Sequence, residues 1–282
     1  MYQLQAPVRL RIAVLADFHN TDPGPALAML AADVPDLIAI PGDMLEGDMP
    51  RAGESSVDGS AKAVALLEGC AKTAPTFVSL GNHEWAVDDG DLEQLRQTGV
   101  TLLDNGWVPF QQVLIGGLSS GRVTRYRAFR ENRNRQAAEA GGHIAPAPER
   151  YPFDRQAIYA KEPWTENDWL AEFEQQEGYR ILLSHHPEYW SMTGAMLKEH
   201  PIDLVFSGHA HGGQIRVAGR GLFAPGQGIL PKYTEGVHQG PFGRMIISRG
   251  MSNPQFLIPR WGNPREILYV ELAPYHDAAL SR

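Results

Sequence analysis

The stretch LVFSGHAHGGQ, residues 204–214, ends an apolar run in a glycine-rich turn that carries His209 and His211 one residue apart. Along an extended chain residues i and i+2 point to the same side, so both imidazoles can converge on one point, as ligands of a metal must. Four further motifs end apolar runs in the same manner: DFH supplies Asp17 and His19, PGD supplies Asp43, GNHE supplies Asn82 and His83, and SHHPE supplies His185 and His186. Each has a plainer meaning when taken alone. An aspartate at a strand end caps a helix or forms a turn, an asparagine after glycine can adopt the left-handed conformation, and a lone histidine is more often structural than a ligand. Yet His19, His83, His185, His209 and His211 are five of the ten histidines in the chain, and the set is harder to explain that way than its members. Gly42, Gly81 and Gly208 directly precede Asp43, Asn82 and His209, where a missing side chain allows close backbone approach. Cys70 is the only cysteine, so any metal must sit on His, Asp, Glu or Asn.

The elements that would position these residues are runs of branched apolar residues at 10–17, 36–43, 76–82, 180–185 and 203–209, which read as buried strands. Helical patterns lie between them in GPALAMLAADV, SAKAVALLEGCAK, DLEQLRQTG and MTGAMLKEH, closed by Gly or Pro signals. Alternation of this kind predicts a layered α/β architecture whose ligands gather beyond the carboxyl ends of the strands. The strand-like runs FQQVLIGGL, GQIRVAGRGLF, RMIISRG and REILYVELA lack intervening helices and predict a second, mixed or antiparallel sheet. Without repeats or a Ser/Gly linker, residues 1–282 read as one α/β domain of two packed sheets flanked by helices. The segment 119–165, with six arginines between Arg122 and Arg135 and then a Gly/Pro stretch, reads as an insertion over one edge of the core.

Composition narrows the class. With 282 residues, 43% hydrophobic and 21% charged, the chain is globular and large enough for a substantial core. A formal net charge of -8 argues against an extended nucleic-acid-binding surface. The apolar runs are too short to span a bilayer, and the first twenty residues lack a signal-peptide pattern, so the expectation is a cytoplasmic protein.

The ordered set DFH, GDMLEG, GNHE, SHHPE and GHAHGGQ resembles the calcineurin-like metallophosphoesterase superfamily, over residues 17–214. Downstream, LPKY, MIISRG and PREILYVEL are similar to its bacterial phosphodiesterase-like branch. The resemblance implies a sandwich of two mixed sheets with two metals at the carboxyl ends of its strands. Asp17, His19, Asp43 and His211 would hold the first metal, and Asn82, His185 and His209 would complete the second around a bridging Asp43. His83 would be the unligated histidine that faces the leaving group. His185 takes the ligand role rather than His186 because the family's ligand is the first position of the H-x-P triplet, which leaves His186 behind it or facing substrate. Three departures stand out: no glycine follows DFH, Glu84 replaces the commoner Asp in GNHE, and the N-terminal membrane segment of many relatives in the branch is not seen.

This chemistry suits phosphate esters, whose anionic oxygens repel a nucleophile and whose leaving groups are poor. Two cations about 3.5–4 Å apart generate hydroxide from bound water and clamp both reacting oxygens. Mixed imidazole, carboxylate and amide ligation points to Mn, Fe, Zn or Co rather than Ca or Mg. The expected function is hydrolysis of a phosphodiester, small or lipid-linked. Phosphomonoesterase activity on the same core and a non-catalytic binding scaffold are the alternatives. Arginines 122–135 could select substrate, although a solvated helical face explains them more simply. Trp85 and Tyr189 are candidate cleft walls.

Overall fold

The computed structural model describes residues 1–47, 55–139, 141, 168–192, 196–252 and 259–274. Two six-stranded sheets face each other. The first has the order β1 (Tyr2–Gln5), β16 (Leu268–Ala273), β2 (Leu10–Val14), β3 (Leu37–Ile40), β4 (Thr76–Ser79) and β5 (Thr101–Leu103). The second runs β14 (Gly236–Gln239), β15 (Arg244–Ile247), β9 (Leu204–Ser207), β8 (Tyr179–Ser184), β7 (Val113–Leu118) and β6 (Gly106–Phe110). Both are mixed: β2 to β5 pair in parallel while β16 runs antiparallel to β2, and β15, β9, β8 and β7 pair in parallel between antiparallel β14 and β6.

The alternation of side chains along each strand divides the core into layers. Ile12, Val14, Leu37, Ala39 and Phe77 point between the sheets, where they meet Ile115, Ile181, Leu183, Leu204, Phe206 and Ile246. Their neighbours Ala13, Ile38, Ile40 and Val78 face outward beneath α1 (Gly24–Ala32), α2 (Ala61–Thr73) and α3 (Asp89–Gln97). On the far side, Leu114, Leu182, Val205 and Met245 pack under α5 (Asp168–Gln175), whose Leu170 and Phe173 are buried there. Strands buried on both faces are built from near-continuous apolar runs, as LIAI and the LVF of LVFS are.

Three features differ from the expectations drawn above. REILYVELA and GQIRVAGRGLF do not extend the second sheet: β16 inserts between β1 and β2 of the first, residues 216–221 form a separate two-stranded hairpin, and RILLSH and DLVFSGH form β8 and β9 of the second. The strands that end in candidate ligands are therefore shared, three in one sheet and two in the other. In place of the helix expected for MTGAMLKEH, the described residues 196–200 hold a short 3-10 turn, Leu197–Glu199, entered from Met196 in a left-handed conformation (φ 49°); residues 193–195 lie outside those described. The arginine-rich part of the expected insertion is a long helix, α4 (Gly121–Glu139), and residues 140 and 142–167 lie outside those described.

Candidate metal centre

The five polar strand endings meet where the carboxyl ends of β2, β3, β4, β8 and β9 converge across the two sheets. Asp43 sits at the middle. Its Oδ2 lies 3.0 Å from His185 Nε2, 3.8 Å from His19 Nε2 and 3.9 Å from His83 Nε2. Asp17 Oδ1 lies 3.9 Å from both His185 Nε2 and His211 Nε2. Asp17, His19 and His211 form one compact group of potential ligands, and Asp43, His185 and His209 form a second. Asn82 is buried between Gly81, which packs on Asp43, and His83, whose backbone N–H donates to Asp43 Oδ1 at 2.8 Å.

The backbone makes this convergence possible by leaving the strand conformation abruptly. Asp17, His19, Asp43, His209 and His211 all have positive φ, between 46° and 67°, a region that side chains other than glycine avoid at a cost of about 1–3 kcal/mol each. Asn82, the residue for which a left-handed turn is the plain sequence reading, is not among them. Gly42 (φ 119°) and Gly81 lie backbone against backbone, and a Cβ on either would collide with the other's loop.

Glu84 locks those two loops together. Its buried carboxylate accepts four backbone N–H groups, from Met44 (2.8 Å) and Leu45 (3.0 Å) on one oxygen and from Asp43 (3.0 Å) and Gly81 (2.7 Å) on the other. Burial and the nearby Asp43 charge raise its pKa, against the pull of those N–H groups.

The electrostatics are those of a site built for positive charge. Burial pushes Asp17 up to about 6, while His185 and His83 outweigh burial at Asp43 and hold it well below the usual carboxylate range. Burial depresses His19 to about 3 and takes His209 and His211 well below their ordinary value. His185 alone moves the other way: burial opposes its charge, but Asp43 and Asp17 outweigh it and push the imidazole up to about 9. A cation entering beside Asp43 must displace that proton, so affinity should rise with pH up to about 9. Asp17 Oδ2, His19 Nε2, Asn82 Oδ1 and His185 Nδ1 are buried without a protein hydrogen-bond partner. Imidazoles, carboxylates and one amide oxygen gathered at one place fit a pair of transition-metal cations.

His83 is set apart by exposure. Its side chain is 34% accessible against 0% for His185, and its Nδ1 lies 2.5 Å from the Glu46 carbonyl, which leaves Nε2 toward Asp43. It is grouped with His19 and Asp43 as closely as the other candidates are with each other, so geometry alone does not exclude it as a ligand. His186 is buried beside His209, their ring centroids 4.5 Å apart, with its Nε2 2.7 Å from Ser120 Oγ and its Nδ1 3.9 Å from Glu188, and His186, Glu188 and His209 form a further compact group of potential ligands.

The aromatic walls expected from sequence are core instead. Trp85 is buried edge-on to Tyr126, with its Nε1 donating to the Gly47 carbonyl, and Tyr189 is fully buried with its hydroxyl accepting from Gly121 N. On α4, Arg122 stacks over Trp85 and Arg127 pairs with Asp104 at 2.5 Å, so these arginines fasten the helix to the body. Arg260 was not foreseen. Its Nη2 lies 3.4 Å from His211 Nδ1 and donates to the Arg249 carbonyl, while Nε and Nη1 are buried without a partner among the described residues. Burial lowers its pKa to about 10, so it is cationic at neutral pH. Glu84 was noticed only as a departure from a pattern, although four residues of GNHE placed it beside the ligands.

Residues 10–213 match the family described as calcineurin-like phosphoesterase. Among curated proteins the chain is 27% identical over 221 residues to "Phosphodiesterase YaeI" of Escherichia coli, covering 73% of this chain and 62% of that protein. It is also 27% identical over 276 residues to an "Uncharacterized metallophosphoesterase" of Helicobacter pylori, covering 95% of this chain and 61% of the relative. The chain thus spans about three fifths of each relative's length. A crystal structure of TT1561 of Thermus thermophilus is 12% identical, with a TM-score of 0.47 over 85% of this chain and 89% of its own.

Replacing Glu84 with glutamine puts an amide NH₂ against two backbone donors. Glu84→Gln should lower unfolding free energy by about 2–4 kcal/mol in urea titrations and weaken Mn binding measured by calorimetry. Wild-type stability together with wild-type Mn affinity would show that the loops do not depend on this carboxylate.

Proposed function

The chain belongs to the calcineurin-like phosphoesterase family, and from that premise we propose that it hydrolyses phosphodiesters with the help of two transition-metal cations, Mn, Fe, Zn or Co. The observation that carries the proposal is the pair of ligand groups meeting at Asp43. Asp17, His19, Asp43 and His211 would hold one ion, and Asp43, Asn82, His185 and His209 the other. Bound together, such ions neutralise phosphoryl charge, lower the pKa of water and clamp attacking and leaving oxygens.

The chain's own residues do the rest. Asp43 would offset the repulsion between two cations held on either side of its carboxylate. His83, anchored through Nδ1 by the Glu46 carbonyl, presents Nε2 at the accessible side of the centre and delivers a proton to the departing oxygen. Arg260, charged and with donors to spare, orients the phosphoryl group beside His211. The preference for diesters draws on the E. coli relative's name, and a soluble chain in the cytoplasm is part of the same proposal. Among the described residues no helix is long and apolar enough to cross a membrane.

Mn-loaded protein should turn over an aryl phosphodiester faster than the matching phosphomonoester. His83→Ala should lower kcat by about 10²–10⁴ with metal content unchanged; loss of metal in step with activity would make His83 a ligand instead. Arg260→Met should raise KM on the order of tenfold or more, with weaker inhibition by inorganic phosphate and full metal content. An unchanged KM would remove Arg260 from the substrate's path.

A further inference from the structure

Immediately after the His211–Gly213 turn, the chain forms two small antiparallel hairpins, β10 (Arg216–Val217) with β11 (Arg220–Gly221) and β12 (Phe223–Ala224) with β13 (Gly228–Ile229). They are rooted at the candidate metal centre: Leu222 N donates to the Gly213 carbonyl at 3.1 Å, and Gly213 and Gly221 meet backbone to backbone. Beside them lies Trp261, bridged to Ile215 and following Arg260.

The hairpins carry apolar side chains into solvent. Ile229 is 81% exposed, Leu230 71%, Trp261 65%, Val217 49% and Phe223 41%. Phe223 and Ile229 are direct cross-strand partners, and Leu230 N bonds the Leu222 carbonyl, which sets these side chains around one small rim. Leu230 is held at φ 54°, a conformation that a bulky side chain resists and that its exposed position does nothing to repay in buried area. Single exposed leucines need no explanation, but a cluster of five large apolar residues on short loops does.

Charge identifies the occupant. The chain carries a formal net charge of -8, yet residues 212–234 and 259–265 contain no aspartate or glutamate. Exposed Arg220, Lys232 and Arg265 stand among the apolar residues instead. Exposed apolar side chains flanked by cations are complementary to an anionic bilayer, where the former enter the headgroup boundary and the latter meet lipid phosphates.

We propose that this twin-hairpin rim docks the protein on anionic lipid surfaces and brings the metal centre to headgroup level. The phosphoester that reaches Arg260 is then a lipid headgroup, a consequence that rests on the hydrolytic reading above, whereas the docking does not.

The test is sedimentation of the full chain with vesicles of equimolar phosphatidylglycerol and phosphatidylcholine, or of phosphatidylcholine alone, beside turnover of a soluble aryl phosphodiester. The wild type should bind the mixed vesicles, and bind less when phosphatidylglycerol is omitted or salt is raised. The double variant Ile229→Glu/Leu230→Glu should lose at least about tenfold in vesicle partitioning, and Lys232→Glu several-fold, with soluble turnover intact in both. No binding of the wild type to mixed vesicles overturns the proposal, as does undiminished binding by the double variant. Self-association of the wild type that the double variant abolishes, without vesicle binding, would assign the rim to a second copy of the chain. Vesicle binding without any soluble turnover would refute the hydrolytic reading and leave the docking surface standing.

Discussion

Four backbone N–H groups converge on one buried carboxylate, and the geometry of the centre depends on that convergence. The loops after β3 and β4 carry Asp43, Asn82 and His83, and neither loop has regular structure to hold it. Glu84 gives them a common anchor, at 2.7–3.0 Å from donors on both sides. Its value lies less in net stabilisation than in what happens without it: four buried donors would be stripped of their acceptor. The Gly42 and Gly81 contact supports the same approach sterically, since side chains there would force the loops apart.

Around that anchor the site accumulates features that folding alone would avoid. Five of its side chains project from left-handed backbone, the Asp17 and Asp43 carboxylates are almost fully buried, and five histidines are grouped with them. His185 lies between the two carboxylates, and the Asp43 and Asp17 charges outweigh burial and raise its pKa. The large apolar layer between the sheets supplies the rigidity that lets such strain persist. Residues that violate local preference and point to one place are the physical signature of a preorganised centre.

The strands and the ligand motifs were legible because they are local. Continuous apolar runs such as LIAI and LVFS announce buried strands, and polar residues at their ends announce a crevice. Sheet membership was not legible, because β16 is placed by pairing with β1 and β2 from the opposite end of the chain. The arginines of α4 looked like a candidate for substrate selection because sequence does not reveal that Trp85 and Asp104 wait beneath them. Trp85 and Tyr189 misled for a related reason: proximity to a motif in sequence does not say which way a ring turns. Arg260 escaped notice since it lies forty-nine residues from His211, the candidate ligand it touches.

Anomalous diffraction from crystals soaked in Mn tests the central claim most directly. Two peaks should flank the Asp43 carboxylate, one beside Asp17, His19 and His211 and the other beside Asn82, His185 and His209. A single peak, or peaks away from Asp43, would contradict a binuclear centre held between the two sheets.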